Sequence, residues 1–359
     1  MYKVRIYNEF NNDLKDLWNS LINKSEHTFY QTYEINSHWY KTIGSKLSGS
    51  KLKIFVFYKN SNIVSIAPLI IRLNSTYINE LNFLGYKLFD YLMIIRINND
   101  INLDKFMFNQ FKQLKGVDII KLSNIPQFFT NFNNDYSSHI NYNSKNKVLM
   151  SELPEKYELY FSNLKTSLRG DIRRQKKKIF NEGKISYDII NHDNHDHFID
   201  NLVFYKKKRY NKTGVKDIFK SNENYLIFLK KLKDSVICDN IHCSTLSIDN
   251  SPISFHIGFT YNNKYYYYMP SFCEDKWGKF SPSRLHLLEI INDCIDKKIP
   301  LFDFTIGDEN YKKYFTNKVS YINNYRISLS FIGLLYFLVF DFLKKIKSKL
   351  YNFKNFNKY

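Results

Sequence analysis

The chain has 359 residues, more than one ordinary domain takes and enough for two. Hydrophobic residues make up 44%, so a sizeable core can form, and the 18% aromatic share reads as compositional drift alongside the abundant Asn, Lys and Ile. The formal net charge of +19 attracts polyanions such as nucleic acid, anionic lipid or phosphorylated cofactors, and says nothing about fold. None of the four cysteines, Cys238, Cys243, Cys273 and Cys294, forms a CxxC pair, which excludes the usual zinc spacing and reads as free thiols of a reducing compartment. The N-terminal "MYKVRIYNEF" has no apolar signal core, so a cytoplasmic protein is expected.

In chain order, "KLKIFVFYKNSNIVSIAPLIIRL" reads as strand, polar turn, strand. The Asn-rich stretch 128–147 has no apolar period and reads as a linker or long loop. In "LRGDIRRQKKKIFNEG" Leu164, Leu168, Ile172 and Ile179 mark a helical stripe. Lys165, Arg169, Arg173 and Lys176 form a basic stripe beside it, able to hold phosphates of a cofactor, a nucleotide-sugar or an RNA backbone. Gly183 is placed to stop that helix. "NHDNHDH", 191 to 197, lies between a strand and a helix and reads as a connecting loop, with Asn194 or Asp196 as a cap, rather than a metal site.

A three-strand meander follows: His242 to Ile248, Pro252 to Tyr261 and Lys264 to Phe272, joined by Asp-Asn-Ser and Asn-Asn turns. Leu285, Leu288, Ile291 and Ile295 then fit one face of a helix, with Ser281 or Ser283 as N-cap and Pro282 in the first turn. "IPLFDFTIG" returns as a strand, and a strand–helix–strand crossover makes the last two strands parallel. The pattern echoes the first half, so a duplicated domain is expected: 1–150, then 151–326 carrying the chemistry. An apolar-then-basic helix or tail over 327–359 ends the chain. Its apolar part is about 25 Å long as a helix, short of the roughly 30 Å of a bilayer core. Three placements stay open: a tilted or thinned span, packing on the domain, or lying on a membrane face with Lys344, Lys345, Lys347 and Lys349 near lipid phosphates.

Two segments carry candidate chemistry. At "KFSPSRLH" a strand feeds a helix whose N-terminus offers unpaired N–H groups, joined by Ser281, Ser283 and Arg284. No GxGxxG or Walker pattern accompanies it. In "LFDFTIGDENYKKYF" Asp303 lies in the strand, Gly307 permits a positive φ, and Asp308, Glu309, Tyr311 and Lys312 follow. Carboxylates there can orient an amine or take its proton, Tyr311 can donate one, and Lys312 can hold a phosphate or carboxylate. His256, alone in the strand "ISFHIGF", is a candidate substrate contact, though a lone strand histidine is more often structural.

"YQTYEINSHWY", "SLRGDIRRQKKKIFNEGK", "FSPSRLHLLEIINDCIDKK" and "FDFTIGDENYKKYF" occur in an order that resembles the GNAT-superfamily acetyltransferase-like proteins of cellulose and exopolysaccharide gene clusters, themselves similar to Fem-type peptidoglycan aminoacyltransferases. The resemblance spans roughly residues 27 to 320 and implies a mixed α/β chain of tandem GNAT-like domains. It implies transfer of an acyl group to a small-molecule amine or sugar acceptor of surface polysaccharide or cell-envelope synthesis, with no metal. Acyl-CoA would wedge between "KYYYYMPSF", which carries Met269, and "PLFDFTIG", its pyrophosphate on the Phe280–Arg284 loop. Ser283 stands where that family often has glycine. Asp303, Asp308 and Tyr311 would be catalytic, and Arg169, Arg173, Lys312 and His256 would contact substrate or phosphate. Two alternatives stay open: an aminoacyl-tRNA donor, as in Fem-type proteins, and a non-catalytic module that binds a polysaccharide precursor or RNA.

Overall fold

The structure, a computed structural model, describes residues 1–129 and 142–356, without the side chains of 142–145 and 347–356. Most of the Asn-rich segment read as a linker lies outside the described residues. The first third forms β1 (Tyr2–Tyr7), α1 (Asn12–Ile22), α2 (Tyr33–Thr42), β2 (Lys51–Lys59), β3 (Asn62–Leu73), β4 (Asn79–Phe83), β5 (Ile95–Arg96), α3 (Ile101–Lys112) and β6 (Ile119–Pro126). The middle forms β7 (Tyr142–Glu152), α4 (Tyr157–Asn163), α5 (Thr166–Phe180), β8 (Ile185–Ile189), α6 (His195–Thr213), α7 (Ile218–Ser221) and α8 (Asn224–Lys230). The remainder forms β9 (Ile241–Ile248), β10 (Ser251–Tyr261), β11 (Lys264–Phe272), α9 (Pro282–Asp296), β12 (Leu301–Ile306), β13 (Lys318–Ser328) and α10 (Phe331–Phe356).

Two compact units are threaded through the chain. One comprises Met1–Glu26, Gly44–Lys145 and Asn323–Tyr359; the other comprises His27–Ile43 and Asn146–Ile322. A single cut near residue 150 does not separate them, because contacts outweigh chain order. Phe29 stacks on Phe259 at 4.5 Å and His38 Nε2 meets the Phe228 carbonyl at 3.1 Å, which ties 27–43 to the second unit. The end of β13 lies beside β6, where the Asn124 N–H donates to Asn324 Oδ1 at 2.9 Å in the first unit.

The two units repeat one plan. In the first, β1, β2, β3 and β4 pair antiparallel in that order and β6 joins β4 in parallel after α3. In the second, β8, β9, β10 and β11 pair antiparallel and β12 joins β11 in parallel after α9. Two-residue hairpin turns drive the meanders. Asn60-Ser61, Asp249-Asn250 and Asn262-Asn263 all hold positive φ, from 46° to 70°, which is the type I′ geometry that matches strand twist and that Asn and Asp tolerate best. The core of the second unit lies between α9 and β11–β12, where Leu285, Leu288 and Ile291 meet Tyr265, Tyr267, Phe302 and Phe304. Each such apolar side chain contributes about 2 kcal/mol on burial. Leu168, Ile172 and Ile179 of α5 join the same core, so the expected stripe is the buried one. Among the described residues no helix is long and apolar enough to cross a membrane.

Candidate active site

β11 and β12 are partners over three positions only: Lys264 with Leu301, Tyr265 with Phe302 and Tyr266 with Asp303. Beyond them the strands part. β12 breaks register against β7 between Asp303 and Ile306, and Thr305 takes a left-handed φ of 58°. β11 runs on through Phe272, paired with β10 along this stretch, and just past the parting its Tyr267 carbonyl accepts the Thr305 hydroxyl at 3.5 Å.

One wall of the opening leads to α9. Ser281 precedes this helix in a left-handed conformation, φ 53° and ψ 55°, and makes no side-chain cap. Its hydroxyl instead accepts from Gln175 Nε2 at 3.1 Å, and Arg284 Nη1 donates to Gln175 Oε1 at 3.4 Å. Ser283 Oγ is buried with no hydrogen-bond partner among the described residues. Pro282 has no N–H and the Arg284 N–H donates to the Ser281 carbonyl at 2.9 Å, so the first turn of α9 keeps the Ser283 N–H and hydroxyl for a ligand, which suits an anion. Ser283 is helical, and the left-handed strain sits on Ser281, so the serine in glycine's place adds a side chain without distorting the backbone. α5 lies alongside, its Lys176 paired with Glu289 at 2.9 Å. On α5, Arg169 turns back to the Ser162 and Leu164 carbonyls, and the Arg173 guanidinium stacks over Phe161 at 5.6 Å.

The other wall is the turn after β12. Gly307 has φ 132°, and a Cβ there would strike the Glu309 carboxylate and lie 2.8 Å from the Lys312 ammonium. Lys312, almost fully buried, donates to the Ile306 carbonyl at 3.0 Å and pairs with Glu309 at 2.9 Å. Asp308 pairs with Lys313 at 3.1 Å. Burial, with the Glu309 charge adding to it, pushes the Tyr311 hydroxyl well above the usual tyrosine range. Lys206 of α6 donates to the Pro270 carbonyl on β11 at 3.0 Å. Burial, then the nearby Arg209, lowers its ammonium to about 8. Glu309 and Lys312 act on the same ammonium, so Lys206, Arg209, Glu309, Tyr311 and Lys312 form one cluster.

The structure therefore brings Ser281, Ser283 and Arg284 together at one helix end, and Tyr311 and Lys312 together at the turn. It does not bring Asp303 or His256 to an opening, since both are 0% exposed. Asp303 accepts the Thr305 N–H at 2.8 Å on the face that carries Tyr266. His256 stacks on Tyr267 at 4.1 Å inside an aromatic layer, and burial holds its ring far below the usual histidine range. Met269 is also buried. Gln175, Lys206 and Arg209 were not singled out from the sequence. The sequence signal for two of them is the spacing of Lys206 and Arg209, one helical turn apart on "FYKKKRY".

The corresponding place in the first unit is closed. β4 and β6 also pair at three positions, from Glu80–Ile119 to Asn82–Lys121. There the chain folds over the end of β6: the Leu92 N–H donates to the Asn124 carbonyl at 3.0 Å and Asn124 Nδ2 to the Phe89 carbonyl at 3.1 Å. Leu84, Phe89, Tyr91 and Leu92 are buried with it. The helix that follows, α3, is capped by its own Asp100, which accepts from Asn102 and Leu103 N–H groups at 3.0 and 3.2 Å. Among the described residues, only the second unit combines a parted strand pair with a crossover helix that lacks a side-chain cap.

Residues 166–313 match the family of the acetyltransferase (GNAT) domain. That range runs from α5 to Lys313 and contains both walls of the cleft. The fold of the chain is similar to solved structures across both units. FemX superposes with a TM-score of 0.60 at 7% identity, covering 89% of this chain and 96% of that one. A conserved protein of unknown function from Bacteroides thetaiotaomicron gives 0.57 at 9%, covering 91% and 100%. The C-terminal domain of a putative lysylphosphatidylglycerol synthetase from Agrobacterium fabrum gives 0.52 at 7%, covering 91% and 94%. No curated protein matches the sequence. The GNAT domain and the internal repeat together make this a mixed α/β protein of tandem GNAT-like units.

Proposed function

We propose that the second unit is an N-acyltransferase that moves an acyl group from acyl-CoA to an amine, an amino sugar or another precursor of surface polysaccharide or cell envelope. The observation that carries this reading is the parting of β11 and β12 beyond Tyr266 and Asp303, together with the missing side-chain cap at the start of α9. Its residues fit the donor. The Ser283 N–H and Oγ would hold the pyrophosphate, with the Arg284 guanidinium beside them. The donor supplies an activated acyl carbon. The open edge of β11 would offer N–H groups to the carbonyl oxygen as charge develops there. Glu309 or Asp308 would take the amine proton, with Glu309 placed nearer the Lys206–Tyr311 cluster, and Tyr311 would return a proton to the leaving sulfur. Lys206, Arg209 and Lys312 would hold an anionic group of the acceptor.

Calorimetric titration with acetyl-CoA tests the reading directly. Binding by the native chain, weakened about tenfold or more in Arg284→Glu by loss of a cation and gain of like charge, is the expected result. A second reading, aminoacyl-tRNA as donor, draws on the likeness to Fem-type proteins and on the +19 charge. It is favoured if charged tRNA binds and acetyl-CoA does not. A chain that binds neither is a non-catalytic module.

A further inference from the structure

α10 is attached to the first unit by one narrow face. Ser330 Oγ donates to Asp118 Oδ1 at 2.7 Å and accepts the Gly333 N–H at 3.0 Å. A Cβ on Gly333 would collide with the Asp118 carbonyl oxygen. Phe337 is buried against Ile78 and Ile119, and Lys121 donates to the Tyr336 hydroxyl at 3.1 Å. Asp341, the single acid of α10, pairs with Arg326, which holds its carboxyl below the usual range.

The opposite face is apolar and bare. Phe331, Leu334, Leu335, Leu338, Phe342 and Leu343 recur at spacings of three and four, the stripe continues to Ile346, and all are exposed, Phe331 by 79%, Leu338 by 59% and Phe342 by 63%. Lys344 and Lys345 stand exposed at its end, and the sequence adds Lys347 and Lys349. Charge selects the occupant. The apolar stripe carries no carboxylate and ends in cations, on a chain of net +19. A second copy would set the same lysines in its neighbourhood, whereas anionic lipid headgroups would neutralise them. Among the described residues no helix is long and apolar enough to cross a bilayer.

We propose that α10 is a membrane-docking helix, its apolar stripe among the acyl chains at the surface of an anionic bilayer and its lysines at the lipid phosphates. The inference does not depend on the chemistry of the cleft. Flotation of the full chain with phosphatidylcholine vesicles, with and without about 30 mol% phosphatidylglycerol, tests it. The native chain should float with the anionic vesicles and much less with the neutral ones. Leu335→Gln, Leu338→Gln and Phe342→Gln together should abolish flotation. Lys344→Gln with Lys345→Gln should weaken it about 30-fold, with the residual binding lost in high salt. The changed residues are exposed, and an unaltered thermal melt shows that the fold survives. Absence of flotation, equal flotation with both vesicles, or stripe variants that float like the native chain would each overturn the proposal. So would a dimer in sedimentation that the stripe variant dissolves while vesicles bind neither form.

Discussion

Lys206 is buried, with Arg209 and Lys312 close by, so it releases a proton near pH 8 where an ordinary lysine would hold it to about 10.5. The folded state then binds fewer protons than the unfolded state between those limits. Its destabilising contribution is complete below about pH 8 and is relieved as pH rises toward 10.5. Urea unfolding of the native chain and Lys206→Met should therefore show a stability difference that moves in favour of the native chain from pH 7 to pH 9.5. A difference that stays flat over that range would contradict the assignment. Glu309→Gln should lower kcat by about 100-fold while leaving acetyl-CoA affinity unchanged, as loss of a general base does. The sequence marked this turn, because Gly307 and its flanking acids are visible as a strand exit. It could not rank the acids. Asp303 alternates with Phe302 and Phe304 and is sealed by what packs on its face, a fact of tertiary contact and not of local spacing.

The two crossover helices, α3 and α9, show how a duplicated element diverges at its first residue. Asp100 caps the start of α3 with its side chain, whereas Ser281 turns left-handed and gives the start of α9 no side-chain cap. Asp100→Ala should cost about 1 kcal/mol at pH 7. The Tyr2 hydroxyl chiefly, with Lys59, keeps the Asp100 carboxyl at about 2. Its stabilising effect is present above the ordinary aspartate range and is lost as pH falls toward 2, so the native and variant unfolding curves should converge there. The meander and the parallel return were legible, since Asn-Asn and Asp-Asn turns and the stripe from Leu285 to Ile295 are local signals. The unused cap was not, because any Ser-Pro-Ser before a helix reads as a capped start. The conformation that denies Ser281 that role comes from Gln175, more than a hundred residues earlier in the chain.

At the level of the molecule, one unit keeps an opening and the other closes it with its own residues 84–94. Titration with acetyl-CoA should accordingly give one site per chain, and Asn124→Ala, which loosens the closed unit, should lower the melting temperature without changing donor affinity. A stoichiometry of two would refute the closure. The repeat was legible as a faint echo of strand and turn, whereas the exchange of His27–Ile43 and Asn323–Tyr359 was not, because nothing in a local pattern records which unit a segment joins. Residues 146–322 produced alone would lack Phe29 and α2, and circular dichroism should find them unfolded or molten at a temperature where the full chain is intact.

That interleaving bears on how such a protein can evolve. A duplicated gene ordinarily leaves one copy free to shrink or be shed once it falls silent. Here the closed unit's stretch of chain also contributes a helix to the open unit, and the open unit's end runs on to complete the closed one. Deletion is therefore closed as a route, and the two can only drift together.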